Sequence, residues 1–266
     1  MKKILGIDSG STTTKLVLMS NGQVEHSYTT LTGANSEKAV TQSLDYMKTH
    51  FDVSQNDFGF VVVTGYGRGS VAMADKQVTE ITCIAKGISR LCPGTEAVID
   101  IGGQDSKGIR IDAAGKVLDF VMNEKCAAGT GRFLDVMSRI LGLDVSEMGA
   151  VSLQSVNPAK ISSTCTVFAE SEVISHIAKG TPVEDIVAGV LEAITNRIYG
   201  LTRRILTGSR RIAFTGGVAK NQGMVKMLER KLGLPLLLPE NPQIVGAIGA
   251  ALIGQEGYRE SCHDHE

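Results

Sequence analysis

Apolar and polar residues alternate over 4–30, interrupted by the polar turn Ser9-Gly10-Ser11-Thr12 and by Asn21-Gly22, which predicts an antiparallel meander of strands. A helical spacing follows over 36–50, and then the apolar run Phe60-Val61-Val62-Val63, read as a buried strand, enters Gly65-Tyr66-Gly67-Arg68-Gly69. That loop lacks dinucleotide-binding spacing, so a plain strand-to-helix turn and a ligand contact remain equally open. Residues 71–91 are predicted as a helix closed by Cys92-Pro93-Gly94, a boundary before a second meander that turns at Ala114-Gly115.

Further on, Thr181-Pro182-Val183-Glu184 has a cap, a first-turn proline and a glutamate three residues after the cap, and so predicts a helix start. Its apolar stripe Ile186, Val190, Ile194, Ile198 and Leu201 is core. A strand over 211–214 then leads into Thr215-Gly216-Gly217-Val218-Ala219-Lys220-Asn221 and a helix over about 221–232. Pro242 is expected to open a last helix whose Gly246, Ala247, Gly249, Ala250 and Ala251 allow close packing back on the first half. Strands alternating with amphipathic helices make an α/β fold.

The two meanders share one design. Gly6-Ile7-Asp8-Ser9-Gly10-Ser11-Thr12-Thr13-Thr14-Lys15 and Val98-Ile99-Asp100-Ile101-Gly102-Gly103-Gln104-Asp105-Ser106-Lys107 each place an apolar strand, an Asp, a polar Gly turn and a Lys seven residues after the Asp. In the first, the amides from Ser9 to Thr13 (Ser9, Gly10, Ser11, Thr12, Thr13), three Thr hydroxyls and Lys15 offer donors to a triphosphate, and Asp8 can hold Mg²⁺ through water. In the second, Gly102 and Gly103 permit close backbone approach beside Asp100, and Gln104 or Asp105 can position an attacking water. Gly216, Gly217 and Val218 can let an adenosine ring lie over glycine backbone.

Composition narrows the ligand to small molecules or proteins. With 27 basic against 28 acidic residues and no basic run, nothing favours nucleic acid or an anionic membrane. Apolar stretches such as 60–63 and 234–238 fall far short of the roughly 20 residues that span a bilayer, and the N-terminus runs directly into a strand. The expectation is a soluble cytoplasmic protein without a disulfide framework, its five cysteines being thiols or metal ligands. The terminal Cys262-His263-Asp264-His265-Glu266 reads as a frayed tail.

In this order and spacing, the three Gly-rich elements resemble phosphate loop 1, phosphate loop 2 and the adenosine loop of the acetate kinase, sugar kinase, actin and heat-shock chaperone ATPase superfamily. That resemblance implies two related domains of ribonuclease H-like fold, here 1–93 with 242–266 and 94–241, with ATP in the cleft between them.

Cys126 and Cys165 stand where small or polar residues precede predicted helices, and a helix N-terminus favours thiolate and an anionic group bound through it. Buried, inert thiols are the other reading. Asn123-Glu124-Lys125-Cys126-Ala127-Ala128-Gly129-Thr130-Gly131-Arg132-Phe133 and Ser162-Ser163-Thr164-Cys165-Thr166-Val167-Phe168-Ala169-Glu170-Ser171-Glu172 resemble the signature segments of one family. This is the ATP-dependent activators of 2-hydroxyacyl-CoA dehydratases, the iron-sulfur component A group related to the ATPase subunits of benzoyl-CoA reductase. The resemblance implies a homodimer with one 4Fe-4S cluster on the two-fold axis, held by Cys126 and Cys165 of each chain. It also implies a ferredoxin or flavodoxin as electron donor and a partner enzyme that uses the low-potential electron. Cys83, Cys92 and Cys262 are then core, helix-end and tail residues. Three rivals stand beside this reading: ATP-dependent reduction of a benzoyl-CoA reductase or double-cubane partner, a sugar or acyl kinase with Asp105 as base, and a non-redox ATPase with both cysteines as core.

Overall fold

The computed structural model describes residues 2–162 and 165–263, with the side chains of Cys262 and His263 outside the description. The expected roles of Cys262 and of the terminal His and acidic residues therefore fall outside the described residues. The chain runs through β1 (Lys3–Ser9), β2 (Thr13–Ser20), β3 (Gln23–Leu31), α1 (Ser36–Phe51), β4 (Phe58–Thr64), β5 (Lys76–Gln77) and α2 (Glu80–Leu91). It continues through β6 (Ala97–Ile101), β7 (Ser106–Ile111), β8 (Val117–Asn123), α3 (Gly131–Leu141), α4 (Met148–Ser152), α5 (Thr166–Ala178) and α6 (Val183–Leu206). Last come β9 (Ile212–Thr215), α7 (Gln222–Leu232), β10 (Leu236–Leu237) and α8 (Val245–His263). The strands form two five-stranded mixed sheets ordered β3-β2-β1-β4-β5 and β8-β7-β6-β9-β10, so the sequence repeat is a repeat of topology.

Two compact units result: the residues up to Gly94, the 112–117 turn and those from Ile244 on; and residues 95–111 with 118–243. In the first unit, alternation along β1 and β2 sends Leu5, Ile7, Leu16 and Leu18 to one sheet face, with Val40 and Met47 of α1. Ile4, Val17 and Met19 go to the other, against Ile248 and Ala251 of α8. Burying each such side chain contributes about 1.5–3 kcal/mol. The small residues of α8 bring backbone close to backbone, as expected: a Cβ on Gly249 would stand 1.7 Å from the Cys83 carbonyl oxygen of α2. Any side chain there would push the two helices apart.

In the second unit, Ile186, Val190, Ile194 and Ile198 of α6 are fully buried with Ile99, Phe133 and Phe214, while Leu201 is half-buried. Arg110 closes the end of α6 by donating from Nε to the Ile205 carbonyl at 2.9 Å and from Nη2 to that of Thr207 at 3.0 Å, which satisfies carbonyls a helix end leaves orphaned. Among the described residues, no helix is long and apolar enough to cross a membrane.

Four local expectations shift. The predicted 71–91 helix starts only at Glu80, behind the Thr79 cap, because Asp75 is tied to Val61 of β4 through its amide and its carboxylate. The last helix starts at Val245, since the Pro242 carbonyl is used by the Gly216 N–H at 2.9 Å. Pro182, one residue after the expected Thr181, is the cap of α6, and the Thr181 hydroxyl lies 3.2 Å from His176 Nδ1 instead. Finally, α3 begins at Gly131, behind Thr130, so Cys126 stands four residues before the cap rather than at the helix start.

Candidate nucleotide and cysteine sites

Each unit sets an Asp, a Lys and a Thr in the same register. Asp8 lies opposite Lys15 across the antiparallel β1–β2 pair and opposite Thr64 across the parallel β1–β4 pair. Asp100 lies in the same way opposite Lys107 and Thr215. Lys15 Nζ reaches Asp8 Oδ2 at 2.9 Å, and Lys107 Nζ lies 3.3 Å from Asp100 Oδ2 and 2.8 Å from Asp105 Oδ2. The first glycine of each turn closes it with its N–H: Gly10 to the Thr13 carbonyl at 3.1 Å, Gly102 to that of Asp105 at 3.0 Å.

The equivalence ends at the aspartates. Thr215 donates its hydroxyl to Asp100 Oδ1 at 2.7 Å, so both oxygens of this carboxylate are engaged, and Lys107 is only 2% exposed. Among the described residues, Thr64 Oγ1 is buried with no partner stronger than the nearby Cys83 thiol, and Asp8 is bonded only by Lys15, through Oδ2. Asp8 Oδ1 is thus an acceptor still on offer, whereas Asp100 is a closed strut. Asp105 is committed to Lys107, while Gln104 is exposed and its side chain makes no hydrogen bond among the described residues.

The first loop has an anchor the sequence did not disclose. Thr32, just past β3, donates its N–H to the Thr12 carbonyl at 2.9 Å and its hydroxyl to the Gly10 carbonyl at 2.7 Å, and shares a 2.9 Å contact with the Thr14 hydroxyl. Of the three Thr hydroxyls expected at a phosphate, Thr14 is therefore turned inward and buried. Ser9 Oγ is buried too, against Gly67 and with no hydrogen-bond partner among the described residues, so it is turned away from any ligand.

Gly216 (φ 87°, ψ 175°) and Gly65 (φ 88°, ψ 179°) are a further repeated pair, each following a strand-ending Thr and opening one 3-10 turn. Left-handed φ suits glycine, and space demands it: a Cβ would lie 2.2 Å from the Ile101 carbonyl oxygen at Gly216 and 2.5 Å from that of Ser9 at Gly65. The Gly65-Tyr66-Gly67-Arg68-Gly69 loop is thus the first unit's counterpart of Gly216-Gly217-Val218, and the shared Thr-Gly after an apolar strand was the available signal. Val218 packs its side chain into the core and presents only backbone.

Cys126 sits in a turn closed from both sides by Asn123, whose Oδ1 accepts the Cys126 N–H at 3.2 Å and whose Nδ2 donates to the Cys126 carbonyl at 2.8 Å. The first amides of α3 are spent elsewhere: Gly131 N–H on the Gly102 carbonyl at 2.9 Å and Arg132 N–H on that of Gly103 at 2.8 Å. Cys165 is the cap residue of α5, as expected, and Glu172 of that helix accepts the Ser162 N–H. Both thiols are free and half-buried, and α5 exposes Val167 and Phe168 beside Cys165. Cys83 is fully buried, and burial, reinforced by the nearby Asp8 and Glu80 charges, pushes its thiol up to about 12. Cys92 is the last-turn cap of α2. No three His, Cys, Asp or Glu side chains gather as a metal cage among the described residues.

Residues 5–254 match the model of the BadF/BadG/BcrA/BcrD ATPase family. The chain is 44% identical over 257 residues to the 2-hydroxyisocaproyl-CoA dehydratase activator of Clostridioides difficile, covering 97% of this chain and 96% of that protein. It is 42% identical over 249 residues to the (R)-2-hydroxyglutaryl-CoA dehydratase activating ATPase of Acidaminococcus fermentans, covering 93% and 95%. The solved structure of the 2-hydroxyisocaproyl-CoA dehydratase activator from Clostridium difficile with bound ADPNP superimposes with a TM-score of 0.94 at 43% identity, over 98% of this chain and 97% of that one. A ROK family glucokinase from Streptomyces griseus, 13% identical with a TM-score of 0.57 over 96% of this chain and all of that one, shares the fold alone.

Proposed function

The chain belongs to the BadF/BadG/BcrA/BcrD ATPase family, and from that premise we propose that it is a cytoplasmic ATPase that delivers single electrons to a 2-hydroxyacyl-CoA dehydratase. The observation that carries this reading is the pair of half-buried, free thiols Cys126 and Cys165, in a chain closely similar to named dehydratase activators over almost its whole length. Two half-buried thiols in the matched segments, with no cage of three His, Cys, Asp or Glu among the described residues, fit a shared group: Cys126 and Cys165 of two copies would supply the four thiolates that a 4Fe-4S cluster takes. Such a cluster, when bound, supplies one electron at low potential. The exposed Val167 and Phe168 beside Cys165 support pairing of two chains there.

Toward ATP, Lys15 and the amides of Ser9, Ser11, Thr12 and Thr13 grip phosphate around the turn that Gly10 closes, and Asp8 Oδ1 would accept from a water of a bound Mg²⁺. The backbone N–H of Gly103 takes phosphate at the second loop, where Gly102 closes the turn onto the Asp105 carbonyl, and the exposed Gln104 orients the attacking water. Asp100 acts by holding Lys107 and Thr215. The backbone of Gly216, Gly217 and Val218 faces adenosine. A ferredoxin or flavodoxin supplies the electron. Differential affinity of ATP and ADP for two conformations provides the work, and hydrolysis makes delivery irreversible.

Anaerobic purification tests the reading. Brown protein with about four irons per dimer that activates a 2-hydroxyacyl-CoA dehydratase only with ATP is expected, with iron lost in both Cys126→Ser and Cys165→Ser. An iron-free protein that activates fully would refute it.

A further inference from the structure

The amides of Gly131 and Arg132 do not cap their own helix; they bind the carbonyls of Gly102 and Gly103 in the second phosphate loop, at 2.9 and 2.8 Å. A trans peptide points its C=O and the following N–H in opposite directions, so the N–H groups of Gly103 and Gln104 face away from α3 and toward any ligand. Between α3 and Cys126 the chain has no slack. Thr130 donates both its N–H (3.1 Å) and its hydroxyl (2.6 Å) to the Ala127 carbonyl, and Asn123 closes the turn onto Cys126. A Cβ on Gly131 would stand 3.1 Å from the Gly102 carbonyl oxygen, so the loop and the helix meet backbone to backbone.

From this continuous set of hydrogen-bonded turns we infer that Gly131 and Arg132 are positioning residues that strap the second phosphate loop to the Cys126 turn, so that phosphate taken by the loop resets the position of Cys126. The inference deepens the proposed function by naming the path through which nucleotide acts on one cysteine; it rests on that reading only for the meaning of the movement. Hydrogen bonding through a shared peptide is cooperative, so an anion on the outer N–H groups strengthens the carbonyl bonds to α3.

Amide hydrogen exchange on the full-length protein, with and without ADPNP and Mg²⁺, tests the strap without reference to iron. In the wild type, ADPNP is expected to slow exchange in residues 123–128 by about fivefold, the lower end of ordinary coupling between sites. Gly131→Pro removes one strap donor at the first helical position, where proline is tolerated, and Thr130 before it is already extended (φ −128°, ψ 170°). In that variant the response in 123–128 should vanish while protection of residues 10–13 by ADPNP persists, showing that nucleotide still binds. Gly131→Ala keeps the N–H, asks the Gly102 carbonyl to give by a few tenths of an ångström, and should retain most of the response. Exchange in 123–128 that ignores ADPNP in the wild type, or a full response in Gly131→Pro, overturns the strap. Should Gly131→Pro fail to fold, the wild-type measurement alone decides. Absence of iron would defeat the proposed function and leave this result intact.

Discussion

Replacing the threonine of each Asp-Lys-Thr frame by valine is the same change in the same register, yet the structure predicts opposite outcomes. Thr215→Val removes the hydroxyl that donates to Asp100 Oδ1 at 2.7 Å, leaving a buried carboxylate oxygen unpaired beside a Lys107 that is 2% exposed. An acceptor stranded in this way costs about 1–3 kcal/mol. In a chain of this size each kcal/mol lowers Tm by about 2–4 °C. Thr64→Val removes a buried hydroxyl whose hydrogen bonding among the described residues amounts at most to a weak contact with the Cys83 thiol. Exchanging so weakly partnered a hydroxyl for a methyl should leave stability unchanged or raise it by up to about 1 kcal/mol. Thermal and urea unfolding of the two single variants and the double variant measures both, and the double should equal their sum because the sites share no partner. Equal losses at the two positions, or a greater loss at Thr64, would refute the assignment of one aspartate as closed and the other as open.

Asp8→Asn should cut ATP hydrolysis and apparent Mg²⁺ affinity by about 10–100-fold, as loss of an outer-shell partner does, while the iron content stays unchanged; metal titration of the ATPase together with iron analysis checks both. Thr32→Val, which frees the Gly10 carbonyl and the Thr14 hydroxyl, should weaken ATP binding by about tenfold, or about 1.4 kcal/mol, in a nucleotide titration. Because burial lifts the Cys83 thiol from 9.0 to about 12, the unfolded chain releases this proton first. Stability from this group is therefore full below pH 9 and declines as pH rises toward 12, and Cys83→Ala should flatten that alkaline limb in unfolding experiments.

The repeat was legible because Asp, turn and Lys stand at equal spacing in both halves and because strand alternation is a local property. The role of Thr32 was not legible: it is an isolated polar residue after a strand, and its three contacts depend on the return of β3 beside β2. Thr64-Gly65 and Thr215-Gly216 share a signal in the sequence, but Tyr66, Gly67 and Arg68 against Gly217, Val218 and Ala219 hide it, since the turn is set by one glycine and the space against the neighbouring strand. Cys126 looked like a helix-start residue because small residues precede the apolar spacing of α3. Gly129 (φ 89°) and the Thr130-to-Ala127 bonds break the chain there, a choice made by local turns that periodicity does not register.

What separates the two halves functionally is the connection between equivalent strands. Between β3 and β4 the first unit has residues 32–57 with a single α-helix, α1; between β8 and β9 the second has residues 124–211, with α3 to α6 and both Cys126 and Cys165. The frame common to both units lies outside this larger connection, which can therefore house a second chemistry without disturbing the strands that hold Asp100 and Lys107. Insertion at this point also has a geometric consequence. The connection leaves the sheet at the end of β8, turns at once around Cys126, and returns the first amides of α3 to the loop between β6 and β7. A helix added anywhere else on the sheet would lack that backbone contact. On the strap inferred above, the position of this connection matters more than its length: a chain with the same two thiols on a distal helix is expected to hydrolyse ATP without moving them.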